Sequence, residues 1–190
     1  MLRMERADAD GEVAARAAAG DGPAFRALVD SWRGRVLGFT SRMARDPALA
    51  EDLAQEVFLH LYRVLRKYDP ARPFAPWMRR VMANVVLNRL RSRPPAAGSL
   101  DAFDGPGDPR SPDPAVEAER TEEASALRRL LEELPAGWRA VLALRYSEGL
   151  SVLEVAAALD LPENTVKTRL FRARAALRAA LRPAAGERGR

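Results

Sequence analysis

Lys167, Arg169, Arg172, Arg174 and Arg178 are cations in a stretch, Asn164 to Arg182, that holds no acid. Guanidinium forks at such density match the oxygens of phosphates and the acceptor edge of guanine. The residues just before them supply a way to aim those forks. Ser151 suits a helix N-cap, and Glu154 three residues on completes a capping box. Val152, Val155, Ala156 and Leu159 then make one apolar face at helical spacing. Asp160 falls where the chain must turn and tolerates left-handed backbone; Pro162 suits the first turn of a new helix. Val166, Leu170, Ala173 and Leu177 continue an inward face. Gly149–Arg174 therefore reads as a helix-turn-helix, a device that places its second helix in a DNA major groove. An ordinary amphipathic helix with a solvated basic face would share the charge but not the agreement of cap, turn and period.

A second constellation lies upstream. Residues 74–93 carry Arg79, Arg80, Arg89, Arg91 and Arg93 and no acid. Trp77, Arg80, Asn84, Asn88 and Arg91 recur three or four apart, which puts them on one stripe of a helix. An aromatic ring, arginines and carboxamides on one stripe can stack on bases and hydrogen-bond their edges. The plainer alternative is a core tryptophan beside two exposed asparagines. A third group, Glu51, Asp52, Gln55 and Glu56, stands near the start of another helical pattern. There the acids favour the helix dipole; equally, they form a polar docking face for a basic protein partner.

Other chemistries find little support. The chain has no cysteine and a single histidine, His60, on a plain amphipathic pattern where a solvated surface position is expected. No catalytic constellation, metal site or cofactor is expected, and the chain is read as not an enzyme. No apolar run approaches the ~20 residues of a membrane span, and the first residues lack the apolar core of a signal peptide. No membrane insertion and a cytoplasmic location are the expectation. Net charge is +5, unevenly distributed along 190 residues.

These groups need helices to position them. Alternating strand patterns are absent, so the expected fold is all-α: two small helical domains joined by a flexible Pro/Gly/Asp-rich linker, with the helix-turn-helix in the second. Helices are expected over about 12–20, Pro23–Arg45, Ala48–Tyr68 and Phe74–Arg93. The inward residues of the last would be Met78, Val81, Met82, Val85 and Leu90. Residues 94–120, rich in proline, glycine and acids, read as the linker. Helices resume near Val116 to Glu133, then Ala136 to Tyr146. The domain plan is thus an N-terminal extension (1–22), a first domain (23–93), the linker, a second domain (121–182) and a short tail (183–190).

Together these features resemble the extracytoplasmic-function (ECF) group of bacterial sigma factors, from about Asp21 to Leu181. Asp46–Leu59 resembles the group's region 2.2, Pro73–Arg93 its regions 2.3 and 2.4, and Leu134–Leu177 its region 4. The resemblance implies a promoter-specific transcription initiation factor. It implies core RNA polymerase as partner, through the β′ clamp helices and the β flap, and promoter DNA both double-stranded and melted. An anti-sigma factor is a usual further partner in the group, though no residue marks one. On matching positions, Asp52, Gln55 and Glu56 would contact core polymerase. Trp77, Arg80, Asn84 and Asn88, with the loop Asp69–Phe74, would engage the melted minus-ten strand. Lys167, Thr168, Arg169, Phe171 and Arg172 would face the minus-thirty-five duplex. The chain departs from common patterns at Val152 and Leu153, often aromatic, and at Asp160, often glycine. Glu163 and Asn164 also depart, so base preference should not be copied from relatives.

Two other readings use the same helix-turn-helix. A stand-alone regulator of the LuxR type would need a sensory domain, and residues 1–93 offer no βα pattern for one. A recombinase-like enzyme would need a catalytic constellation that the residues do not supply.

Overall fold

The computed structural model describes residues 2–92 and 127–181, with the side chains of 2–9 left aside. The expected linker over 94–120 and tail over 183–190 lie outside the described residues. Among the described residues every regular element is helical.

The N-terminal unit holds α1 (Leu2–Ala18), α2 (Gly22–Met43), α3 (Pro47–Val64) and α4 (Phe74–Ser92). Helix α1 starts well before the expected 12–20. Residues 2–10 have no clear apolar period but are rich in strong helix formers such as Leu, Arg, Met and Ala. Its packing holds it in place: Ala14 is fully buried, and Asp10 accepts a hydrogen bond from the Trp32 indole nitrogen at 3.1 Å. Gly20, at φ 101°, ends that segment in a backbone region glycine enters without steric cost.

Aspartate–proline pairs or near-pairs start α2 and α3. Asp21 caps the Ala24 amide at 2.9 Å, and Asp46 caps Leu49 at 2.7 Å, with proline in the first turn of each helix. Leu28, Trp32, Val36 and Met43 of α2 and Leu53, Val57 and Leu61 of α3 are buried, as their period requires. A 3-10 turn, Leu65–Lys67, finishes α3.

The C-terminal unit begins with α5 (residues 127–133). After Leu134-Pro135 comes α6 (Ala136–Leu142), which runs into a π turn (Ala143–Ser147). Helices α7 (Val152–Leu159) and α8 (Glu163–Leu181) complete it.

Helix α4 joins the two units. It packs on α1, α2 and α3 and also on α6 and α7. Met78 and Met82 are fully buried as expected, whereas Val81, Val85 and Leu90 are only partly covered. Phe74, Ala75, Ala83, Val86 and Leu87 are buried in addition. At about 100° per residue, the buried positions span roughly 220° of the helix, too wide for one partner layer. Phe74 lies at one margin of this arc and meets Trp32 of α2 and Tyr68; Arg80 lies just past Leu87 at the other and pairs with Asp160 beyond α7. The arc therefore faces the N-terminal unit along one edge and the C-terminal unit along the other.

Asp46 is the cap on which the start of α3 rests. Asp46→Ala should lower stability by about 1 kcal/mol, seen as a lower thermal midpoint with helical content at low temperature retained.

Candidate nucleic-acid interface

The helix-turn-helix forms by the local chemistry its residues suggest. Ser151 Oγ accepts from the Glu154 amide at 3.2 Å, while the Glu154 carboxylate accepts from the Ser151 amide at 2.8 Å. The capping box is complete. Asp160 closes α7 in the left-handed region, φ 54° and ψ 49°. Among the described residues it alone departs from negative φ without being glycine. The Pro162 carbonyl accepts the first bonds of α8, from the Thr165 and Val166 amides.

Val166, Leu170 and Ala173 bury one side of α8. On the other side Asn164, Lys167, Thr168, Phe171 and Arg172 are exposed and share one ridge. Phe171, despite its apolar ring, is 67% exposed. Lys167 is partly engaged by Glu163 at 3.5 Å, and Thr168 Oγ1 donates to the Asn164 carbonyl at 2.8 Å. Arg169 does not share the ridge. It sits on the flank of α8, and its guanidinium crowds the position a Gly137 Cβ would take, at 3.0 Å. Gly137 thus lets α6 and the Arg169 side chain meet closely.

On α4, Arg80, Asn84 and Asn88 are exposed and Trp77 is half-buried. Trp77 leans on an aromatic cluster, with ring centroids 5.4 Å from Tyr68 and 5.7 Å from Phe74. It is neither a core residue nor a free one: its packed edge fixes the ring while the rest remains open. Arg80 is not free either. Its guanidinium contacts the Asp160 carboxylate at 3.1 Å.

The loop ahead of α4 is shaped by its own bonds. Tyr68 is buried, and its hydroxyl donates to the Arg72 carbonyl at 2.6 Å. The Asp69 side chain accepts from the Ala71 amide at 3.0 Å, and the Asp69 carbonyl accepts from the Arg72 amide at 3.0 Å. Burial, and after it the Asp69 charge, raise the Tyr68 phenol above its ordinary pKa.

On α3, Asp52 and Gln55 are exposed and Glu56 is partly covered, its carboxylate 3.0 Å from Arg89. The same ridge carries Leu59, 53% exposed, and Tyr62, 69% exposed. Reasoning from the sequence missed these two, although their spacing of four and seven from Gln55 placed them on its ridge.

It also missed Arg139. This arginine is 7% exposed, inside an otherwise apolar stretch of α6. One terminal nitrogen donates to the Glu132 carbonyl at 2.9 Å; the other donates across to the Met43 carbonyl of α2 at 3.0 Å. Its Nε is buried without a partner. Burial, then the Arg45 cation, lower the guanidinium pKa, against an opposing pull from Glu132. Both of its acceptors lie outside α6, so the residues of α6 do not reveal them.

Residues 28–94 match the family model for sigma-70 region 2, and residues 124–177 match that for sigma-70 region 4. The chain is 33% identical over 193 residues to the RNA polymerase sigma-H factor of Pseudomonas aeruginosa, covering 96% of this chain and 97% of that one. It is 32% identical over 173 residues to the ECF RNA polymerase sigma factor SigW of Bacillus subtilis, covering 86% and 91%. Among solved structures it resembles CnrH, determined in complex with the cytosolic domain of CnrY. That likeness has 29% identity and a TM-score of 0.64, and covers 91% and 97% of the two chains. RpoE of Bartonella quintana, in complex with the anti-sigma factor NepR, shares the fold at 19% identity, with a TM-score of 0.65 over 83% and 96%.

The Tyr68 geometry has a pH signature. A buried phenol stabilises the fold while neutral, so its contribution is present below the ordinary phenol range and is lost as pH rises through the raised value. Ultraviolet titration should show one of the three tyrosines ionising late, together with loss of folded signal. Tyr68→Phe should abolish that late step.

Proposed function

Because the chain belongs to the ECF group of the sigma-70 family, we propose that its three exposed ridges divide the work of promoter initiation among them. The chain is a promoter-specific transcription initiation factor, a partner of RNA polymerase and promoter DNA. Among the described residues, no helix is long and apolar enough to cross a membrane. In this reading the factor acts in the cytoplasm with the polymerase and makes or breaks no covalent bond itself. An inhibitory protein of the anti-sigma kind belongs to the same reading. The stand-alone regulator is not favoured, since the family match includes residues 28–94 as well as the helix-turn-helix unit.

The α3 ridge of Asp52, Gln55 and Glu56 is assigned to core polymerase, with Leu59 and Tyr62 as its apolar continuation. A polar rim beside exposed apolar side chains is the usual anatomy of a protein interface. Trp77, Arg80, Asn84 and Asn88, with the loop Asp69–Phe74, are assigned to the minus-ten strand. A ring held at one edge offers a stacking platform, and the bonds within the loop lower the cost of ordering it on DNA. Lys167, Thr168, Phe171 and Arg172 are assigned to the minus-thirty-five duplex, and Arg169 joins them by leaving its flank position. The α8 ridge is the observation that carries the proposal. It is cationic and exposed, on a helix whose opposite side is locked by Val166, Leu170 and Ala173.

Purified factor with core polymerase should start transcription at specific sites in a genomic promoter pool; initiation no better than core alone would sink the assignment. Arg172→Ala should weaken minus-thirty-five-dependent initiation by ~1–3 kcal/mol if it grips a base, with the loss varying between promoters. A loss uniform across promoters would mark a phosphate contact. Asp52→Ala combined with Gln55→Ala should lower affinity for core by ~1 kcal/mol or more while circular dichroism stays unchanged. Both residues are exposed with no bond to α4, so loss of helicity would show that they serve the helix instead.

A further inference from the structure

The two units are not held apart. We propose that the free factor rests in a closed state in which the helix-turn-helix unit caps α4, and that the Asp160 carboxylate occupies Arg80 there in place of a DNA phosphate. The masking step rests on the assignment of Arg80 to promoter DNA; the closed state does not.

Three observations converge on this state. One apolar cluster runs without interruption from Trp32, Val36 and Met82 in the N-terminal unit to Val141, Leu144 and Val155 in the C-terminal unit. Parting the units would expose the part of α4 that α6 and α7 cover, at an apolar cost. Arg139 then ties the units by reaching the Met43 carbonyl, a bond between residues far apart in the chain. Finally, the Arg80–Asp160 contact joins a side chain on the DNA-facing stripe of α4 to the turn of the helix-turn-helix.

Asp160 is an unusual choice for that turn if the turn were its whole role. At φ 54° glycine would carry no steric penalty, whereas an aspartate does. What the aspartate adds is a negative charge 3.1 Å from Arg80. A promoter phosphate needs the same cation, so strand and carboxylate exclude each other at Arg80.

The closed state is built to yield. The ion pair is exposed, 51% on Arg80 and 73% on Asp160, and such a pair biases an equilibrium by no more than about five-fold. Arg139 leaves its Nε unsatisfied in the interface, so the tie is imperfect. A polymerase that grips both units at a set separation can therefore open the factor with part of its binding energy. The α8 ridge is exposed in the closed state, so masking falls on the minus-ten reader and spares the other.

The chain has no cysteine, so His60→Cys with Ala180→Cys, both exposed sites, gives a clean dye pair on the full-length factor. Single-molecule energy transfer on the free factor should show a dominant high-efficiency state. Asp160→Asn keeps a residue tolerant of left-handed backbone and removes only the charge. It should lower the closed-to-open ratio about two- to five-fold at low salt. Arg139→Met, which keeps bulk without the donors, should lower it further. Affinity for a short single-stranded oligo(dT), without polymerase, should rise in Asp160→Asn and fall back when Arg80→Ala is added. The two substitutions should be non-additive in energy transfer, as expected of a direct pair. Unchanged energy transfer in both Asp160→Asn and Arg139→Met would overturn the closed state, whatever Arg80 does. If Asp160→Asn opens the factor but oligo(dT) binding ignores Arg80→Ala, the DNA role of Arg80 fails and the closed state stands.

Discussion

Helix α4 must bury roughly 220° of its circumference, by about 100° per residue, and still leave a strip for function. Everything else in the arrangement adapts to that demand. The helices that precede α4 in the chain cover part of this arc, and the rest needs a cover from elsewhere. The helix-turn-helix unit supplies it. The remaining strip, Arg80, Asn84, Asn88 and the open edge of Trp77, is too polar to bury without partners and too narrow to support a second core. Function sits where folding makes no use of the surface.

The same division governs α3 and α8. Each locks one side with aliphatic residues at helical spacing and presents the other as a ridge. Rigid backing matters because none of the ridges reacts chemically; each acts by holding side chains in register with a partner. The capping box on α7 and the Asp46 cap on α3 serve that end, since a frayed first turn would blur the register of every residue after it. Tyr68 extends the principle to a loop, where no helix exists to impose order, by fastening the Arg72 carbonyl.

Local chemistry was legible in the sequence in most places where it is local in the fold, Leu59 and Tyr62 on the α3 ridge being the exception. Ser151 with Glu154, the left-handed Asp160, the proline-led helix starts and the ridges of α3 and α8 all follow from residues within one or two turns of each other. What was not legible depends on partners distant in sequence. Ala83, Val86 and Leu87 look like a minor apolar scatter until α4 is packed between the helices of both units. Arg139 looks like any surface arginine until its carbonyl acceptors, Glu132 and Met43, are brought together. Arg169 belongs by spacing to a basic helix, yet the turn of α8 sets it on the flank, where the missing Cβ at Gly137 leaves room for its guanidinium. The start of α1 was hidden because its helical signal is propensity without period, and its anchor, Asp10 on Trp32, spans 22 residues.

Two weak readers on one chain raise a problem that the packing of the units answers. A cationic stripe and a cationic ridge, both free, would bind any nucleic acid through phosphate contacts and be titrated away from promoters. Lengthening the reach between them would not help, because effective concentration falls with the span. Covering one reader does help. If the binding-competent fraction of the minus-ten stripe is small in the free factor, its apparent affinity for stray single strands falls by that same fraction. The cost of opening is then met once, by a partner that grips both units, and the minus-ten reader becomes available at a fixed separation from the ridge already exposed on α8. A carboxylate placed at the turn of one reader, against an arginine of the other, makes the helix-turn-helix unit part of the lock on the minus-ten stripe.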